Sequence, residues 1–132
     1  MRNTPFMTIV LVLFMVSCKK DHPYRNIPAG TYKGTFQRSL INQVSNVTLE
    51  FSSDGFEGQS QYLHYPDICH GKFSTSQDTV LFENACVYTA DFDWSYILSG
   101  KFKISLVGDS LIMKKEYNGV VYYYDIYKLK KQ

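Results

Sequence analysis

The side chains able to do chemistry fall into three groups. Asp91 and Asp93 stand two residues apart beside the lone tryptophan, Trp94. On a strand, residues i and i+2 face the same way, and paired carboxylates set across a glycosidic bond are the machinery of sugar hydrolysis. The plainer reading is a turn whose Asp side chains cap backbone amides. His64, Asp67 and His70 lie near Cys69 and carry metal-ligand atoms, but their spacing matches no standard zinc pattern, and they read as structural polar residues in a loop. Tyr62, Tyr65, Trp94, Tyr96, Tyr122 and Tyr124 offer broad apolar faces with polar tips. They suit the lining of a mouth for an apolar or sugar ligand, or ordinary packing with surface tyrosines. The chain holds no Ser-His-Asp order, phosphate-cradling glycine loop or nucleotide fingerprint. No enzyme, cofactor or metal is expected.

A fourth chemistry-bearing residue is Cys18. Arg2 gives a short positive start, Phe6 to Val16 form an apolar run, and Ser17-Cys18 is followed by Lys19-Lys20-Asp21. The run has signal-peptide length and falls well short of the ~20 residues of a spanning helix. A small residue directly before a cysteine at this point resembles the lipobox of bacterial lipoproteins. The alternatives are an ordinary secretory signal with an incidental cysteine, or an uncleaved anchor. The resemblance implies removal of residues 1–17, diacylglycerol on the Cys18 thiol and a further acyl chain, such as palmitate, on the new amine. One acyl chain holds a protein only marginally; two or three hold it firmly. Inner-membrane retention signals of that family favour Asp where this chain has Lys19. Lys19-Lys20-Asp21 also resembles the charged patch of Bacteroidota-type surface lipoproteins. The expected place is the outer membrane, lipid-anchored on its periplasmic face or at the cell surface.

With Cys18 taken by lipid, Cys69 and Cys86 remain as a pair in a chain sent to an oxidising compartment. A disulfide is expected; two separate buried thiols or half of a metal site are the alternatives. The two lie about equally far from a Ser76–Asp78 turn, so a hairpin pivoting there would bring their backbones near the ~5.5 Å that a bridge requires.

Composition narrows the class. Without Arg2 the chain has one fewer than its 14 Lys and Arg, set against 12 Asp and Glu. No basic block or polybasic helix is present, which argues against nucleic acid and against electrostatic binding to lipid. Tyr, Phe, Val, Ile and Thr favour strands. Residues 18–28, with Pro23 and Pro28, read as a lipidated tether, and 29–132 as one domain with a modest core.

Alternation then runs along the domain. Tyr32 and Phe36 share a face with Gly34 between them. Val47, Leu49 and Phe51 form a second strand and Phe56 to Ser60 its return. His70–Thr75 and Thr79–Phe82 flank the Ser76–Asp78 turn. Phe102, Ile104 and Leu106 alternate with Lys101, Lys103 and Ser105. Leu111–Met113 opens the seventh strand. Asn118-Gly119 reads as a type I′ hairpin leading into Val120–Lys130. There Val121, Tyr123, Tyr127 and Leu129 share a face with Asp125, which requires a bulge or a satisfied carboxylate. Tyr32, Phe36, Val47, Leu49, Phe51, Phe73, Phe102, Ile104 and Leu106 are expected to point inward. About eight strands in meander order imply an all-β, antiparallel up-and-down barrel, since closure removes the edge strands.

Gly30–Phe36, Cys69–Phe82, Cys86–Gly100 and Tyr127–Leu129 together resemble small lipocalin-like lipoproteins of Bacteroidota envelopes, Cys86-x-x-Thr89-Ala90-Asp91-Phe92-Asp93-Trp94 most of all. The resemblance implies a fold rather than a chemistry. Two functions follow as expectations. The first is an envelope lipoprotein whose barrel binds a small apolar or amphipathic ligand. The second is a non-catalytic protein-interaction or structural module with a filled barrel and an envelope protein as partner. An open interior of about 300 Å³ or more favours the first; a packed interior with an exposed apolar patch favours the second.

Overall fold

The computed structural model describes residues 26–132. The stretch expected to be a signal segment, and Cys18, lie outside the described residues. Among the described residues eight strands follow one another: β1 (Gly30–Arg38), β2 (Val44–Phe51), β3 (Gly55–Ser60), β4 (His70–Ser76), β5 (Thr79–Asn84), β6 (Gly100–Val107), β7 (Ser110–Asn118) and β8 (Tyr122–Lys131), with one 3₁₀ turn, η1 (Trp94–Tyr96), before β6. Each strand pairs antiparallel with the next, and β8 closes on β1. This is the expected all-β, eight-stranded up-and-down barrel.

Alternation is what makes these segments strands. On β2 the inward Ser45, Val47, Leu49 and Phe51 are buried while Glu50 is exposed. The closing seam needs one glycine: Gly34 sits opposite Leu129, and a Cβ there would run into the Lys128 carbonyl. The outer wall carries exposed charge, including Glu50, Lys72, Lys101, Lys103 and Lys128. Such a wall faces water, because Lys on a lipid-facing strand is costly.

The interior is filled by rings. From one end to the other, Tyr32 meets Phe51 (centroids 5.4 Å), Phe51 meets Phe82 (6.2 Å), Phe82 meets Phe102 (5.7 Å), and Phe102 meets Tyr127 (5.8 Å). Tyr127 then meets Phe36 (4.8 Å), Phe36 meets Tyr65 (5.1 Å), and Tyr65 meets Tyr96 (5.4 Å). Offset and edge contacts of this kind add to the burial of large apolar faces. Of the expected inward set, Phe73 and Leu106 are half-buried against this core and the others are buried.

Two differences from the sequence expectation have clear causes. The β7–β8 hairpin is not a two-residue type I′ turn on Asn118-Gly119. Asn118 pairs with Tyr122, so Gly119, Val120 and Val121 form the tip, and neither Asn118 nor Gly119 has the positive φ that type I′ needs. A turn closing on 117 and 120 would bring Tyr122 and Tyr124 inward and expel Tyr127 and Leu129. The core sets the register, since a one-residue slip inverts every side chain. Val121, expected on the inner face, lies in this tip and is exposed. The folded unit also takes in two residues assigned to the tether. Ile27 is buried in the core, and Tyr32 Oη donates to the Pro28 carbonyl at 2.9 Å.

Candidate functional site

The two ends of the barrel differ. At the end where β1 begins, the connections are the short turns 52–54, 77–78 and 108–109. The chain enters here through Asn26, which accepts a hydrogen bond from Thr75 Oγ1 at 2.7 Å. At the other end the connections are 39–43, 61–69, 85–99 and 119–121.

The long loops 61–69 and 85–99 are tied together. Cys69 and Cys86 form the expected disulfide, with Cα atoms 6.4 Å apart. The β4–β5 ladder pairs Gly71 with Asn84, and Ala85 N donates to His70 O at 2.9 Å, so the cysteines face each other across the next rung. Further out, Asp67 N donates to Tyr96 O (3.0 Å) and Leu98 N to Asp67 O (2.9 Å). Tyr88 Oη donates to Asp67 Oδ1 at 3.0 Å; burial first, and then this bond, push the Tyr88 phenol up to about 12. Asp67 also pairs with His64, whose ring meets Phe92 edge-on.

Beneath these loops sits the satisfied carboxylate that Asp125 requires. Asp125 and Arg38 are register partners on β8 and β1, both inward and buried. Arg38 Nε donates to Asp125 Oδ1 at 2.7 Å and Nη2 to Oδ2 at 2.8 Å. Arg38 also donates to Ser95 Oγ at 3.0 Å and to Ser95 O at 3.1 Å. Its guanidinium lies 3.9 Å from the Tyr96 ring centroid and 4.9 Å from that of Tyr123. Burial works against the Arg38 charge, but the Asp125 hydrogen bond and field outweigh it and hold the pKa above its ordinary value. Burial and Asp125 push the Tyr117 phenol up, and Tyr117 Oη donates to Asp125 Oδ2 at 3.1 Å. No bulge is needed.

The six aromatics proposed for a mouth are all at this end or beside it, but they are not gathered into one lining. Tyr65 is buried as a plug: its hydroxyl donates to Gln43 O at 2.8 Å and accepts from Arg38 N at 3.3 Å. Tyr96 lies half-buried over Arg38. Tyr62 and Trp94 are exposed on the rim. Tyr122 and Tyr124 face outward, with Tyr122 Oη on Glu116 and Lys114 over the Tyr124 ring. Asp93 caps η1, accepting from Ser95 N at 3.0 Å, as a turn carboxylate would.

Tyr62 and Trp94 apart, the apolar residues of the rim went unpredicted. Leu40, Leu63, Val87, Trp94, Val120 and Val121 are all exposed, and together they place an apolar side chain on every loop of this end. Leu63 is 86% exposed and Val87 97%. The four loops carry Asp67, Asp91 and Asp93 and no Lys or Arg. Arg38 was missed as well, although inward parity on β1 (Tyr32, Gly34, Phe36, Arg38) was a usable signal once β1 was placed beside β8.

The molecule is therefore a closed antiparallel barrel with a ring-filled interior and one loop-bearing apolar end. Comparison with protein-family models, curated proteins and solved structures found no match.

Proposed function

We propose that the chain is a non-catalytic, lipid-anchored envelope lipoprotein that uses the loop-bearing end of its barrel to dock a partner protein. The observation that carries this reading is the exposed apolar rim over a filled interior. Exposed apolar side chains gathered at one end of a molecule favour an interaction site there, while a barrel packed with its own rings has spent its interior on stability.

Two further features support a protein as the occupant rather than lipid. The rim loops bear only acidic charge, whereas anionic lipid surfaces attract Lys and Arg. The chain enters the barrel at the opposite end, through Asn26 and Ile27. An anchor at Cys18 would hold that end toward the membrane and turn the rim away from it. The fitting partner presents an apolar patch flanked by basic side chains.

The test is made in envelopes carrying the full chain. Wild-type protein extracted in mild detergent is expected to migrate in native electrophoresis above its monomer mass. Leu63→Asp with Val87→Asp is expected to collapse it to the monomer, and Val107→Asp at the other end to leave it unchanged. Unaltered mobility of the rim variant would refute the docking reading. A small molecule retained by wild-type protein in native mass spectrometry would favour the ligand-binding reading instead. Cys18→Ala should release the chain from the membrane fraction or leave its precursor uncut; normal retention with unchanged mass would overturn the anchor.

A further inference from the structure

The disulfide has a neighbour that a purely structural bridge does not need. His70 Nδ1 lies 3.4 Å from Cys69 Sγ and 3.4 Å from Cys86 Sγ. The three ligand-type atoms all lie within 4.8 Å of one another. His70 is exposed and both cysteines are half-buried, so the group is open to solvent.

We propose that Cys69, Cys86 and His70 form a redox-gated site for a thiophilic divalent cation of the zinc class, shut while the sulfurs are bonded and opened when a dithiol reduces them. The geometry agrees with tetrahedral coordination. Metal–sulfur bonds of ~2.3 Å and a metal–nitrogen bond of ~2.0–2.1 Å place nitrogen and sulfur about 3.5 Å apart, close to both observed distances. The two sulfurs must move to about 3.8 Å from each other. Rotation about the two cysteine Cα–Cβ bonds supplies this, since the Cα atoms are already 6.4 Å apart. The fourth position faces solvent and takes water.

The surroundings favour a cation. Cys69 and His70 border an outer groove of about 450 Å³ that is also lined by Glu50 and Glu57. Glu50 is the register partner of Glu57, and Glu57 of His70, so two carboxylates and the imidazole stand in one row across three strands. Like charges directly opposed on a sheet repel, and a bound cation beside them relieves that repulsion.

The chemistry balances. A dithiol gives two electrons and two protons to the Cys69–Cys86 bond and becomes a disulfide, leaving two protein thiols. The cation then displaces both thiol protons to solvent and is held by two thiolates and neutral imidazole, so affinity falls as pH is lowered. When the cation leaves, a disulfide oxidant closes the bridge by exchange and is itself reduced to a dithiol.

The experiment uses the full chain with Cys18→Ser in detergent, so that only Cys69 and Cys86 can act as thiols. The protein is reduced with a phosphine under anaerobic conditions, freed of reductant and titrated with Co²⁺ alone, then with Zn²⁺. One equivalent of Co²⁺ is expected to bind with a thiolate-to-cobalt charge-transfer band and tetrahedral visible bands, and Zn²⁺ to displace it. The oxidised protein should give neither band. Since loss of a residue that merely orients a ligand costs at least tenfold in affinity, His70→Ala, which removes a ligand, should weaken binding by about tenfold or more. Zn²⁺ should also raise the thermal midpoint of the reduced protein but not that of Cys69→Ser/Cys86→Ser. Circular dichroism of oxidised His70→Ala checks that this variant is folded. Absence of stoichiometric uptake by the reduced protein would overturn the proposal, and so would a folded His70→Ala that binds as tightly as its parent.

Discussion

The Arg38–Asp125 pair should dominate the stability of the loop-bearing end, and its worth can be worked from its surroundings. The two side chains are 7% and 4% exposed, so neither charge is screened by water. Asp125→Ala leaves a buried guanidinium with only Ser95, among the described residues, to accept from it. Arg38→Met leaves a buried carboxylate with only the Tyr117 hydroxyl within the same cluster. Breaking a buried pair from one side costs about 3–5 kcal/mol. A domain of this size is held by roughly 5–15 kcal/mol, so either variant should lose a large fraction of its stability, with a thermal midpoint lower by roughly 12 °C or more. Replacing both partners by apolar residues of similar volume, Arg38→Met with Asp125→Leu, removes the uncompensated charge and should lie near wild type or above it. Urea unfolding at pH 7 reads all three, with the denaturant slope unchanged if the unfolded states are alike. Single variants costing less than about 1 kcal/mol, or a double variant as poor as the sum of the singles, would refute the account of this pair as a desolvated, mutually dependent unit.

Phe102 touches Phe82 and Tyr127 at the middle of the ring column, so Phe102→Ala should cost about 3–5 kcal/mol in urea unfolding; a cost below ~1 kcal/mol would mean that this site is not packed. Reduction of the Cys69–Cys86 bridge, which closes a loop of sequence separation 17, should remove about 3 kcal/mol. Before reduction, denatured protein lacking Cys18 should show no free thiol; two titratable thiols would refute the bridge. Alkaline pH should weaken the fold. Burial raises the phenols of Tyr32, Tyr65, Tyr88, Tyr117 and Tyr127 above the ordinary value of 10.0. The unfolded chain therefore sheds these protons first. Their contribution is intact below pH 10 and is lost as pH rises through the folded values, about 12 for Tyr88. Lys115, held below its ordinary value first by burial, contributes in the opposite sense and offsets part of the loss. Urea midpoints that stay level from pH 8 to pH 11 would refute the phenol shifts.

The sequence by itself determined the barrel, because a period of two is visible along the chain and needs no knowledge of what each strand meets. Tyr32, Phe36, Leu49 and Phe102 were identifiable as inward from their neighbours alone. The Cys69–Cys86 bridge was legible for a related reason: a hairpin makes its partners by counting from a turn. Asp125 could be recognised as a charge on an apolar face, but its partner could not be named. Arg38 lies 87 residues away in sequence, and only closure of β8 on β1 brings them together. The tertiary structure likewise overruled the Asn118-Gly119 turn, since burying Tyr127 and Leu129 outweighs the preference of two residues for a tight hairpin. It also decided what the loops do. Leu63, Val87 and Trp94 carry no periodic signal, and they come to one end of the molecule because the barrel sends alternate connections there. The placement of His70 between two sulfurs belongs to this second group. It rests on backbone geometry at the end of a ladder, a property of space rather than of spacing.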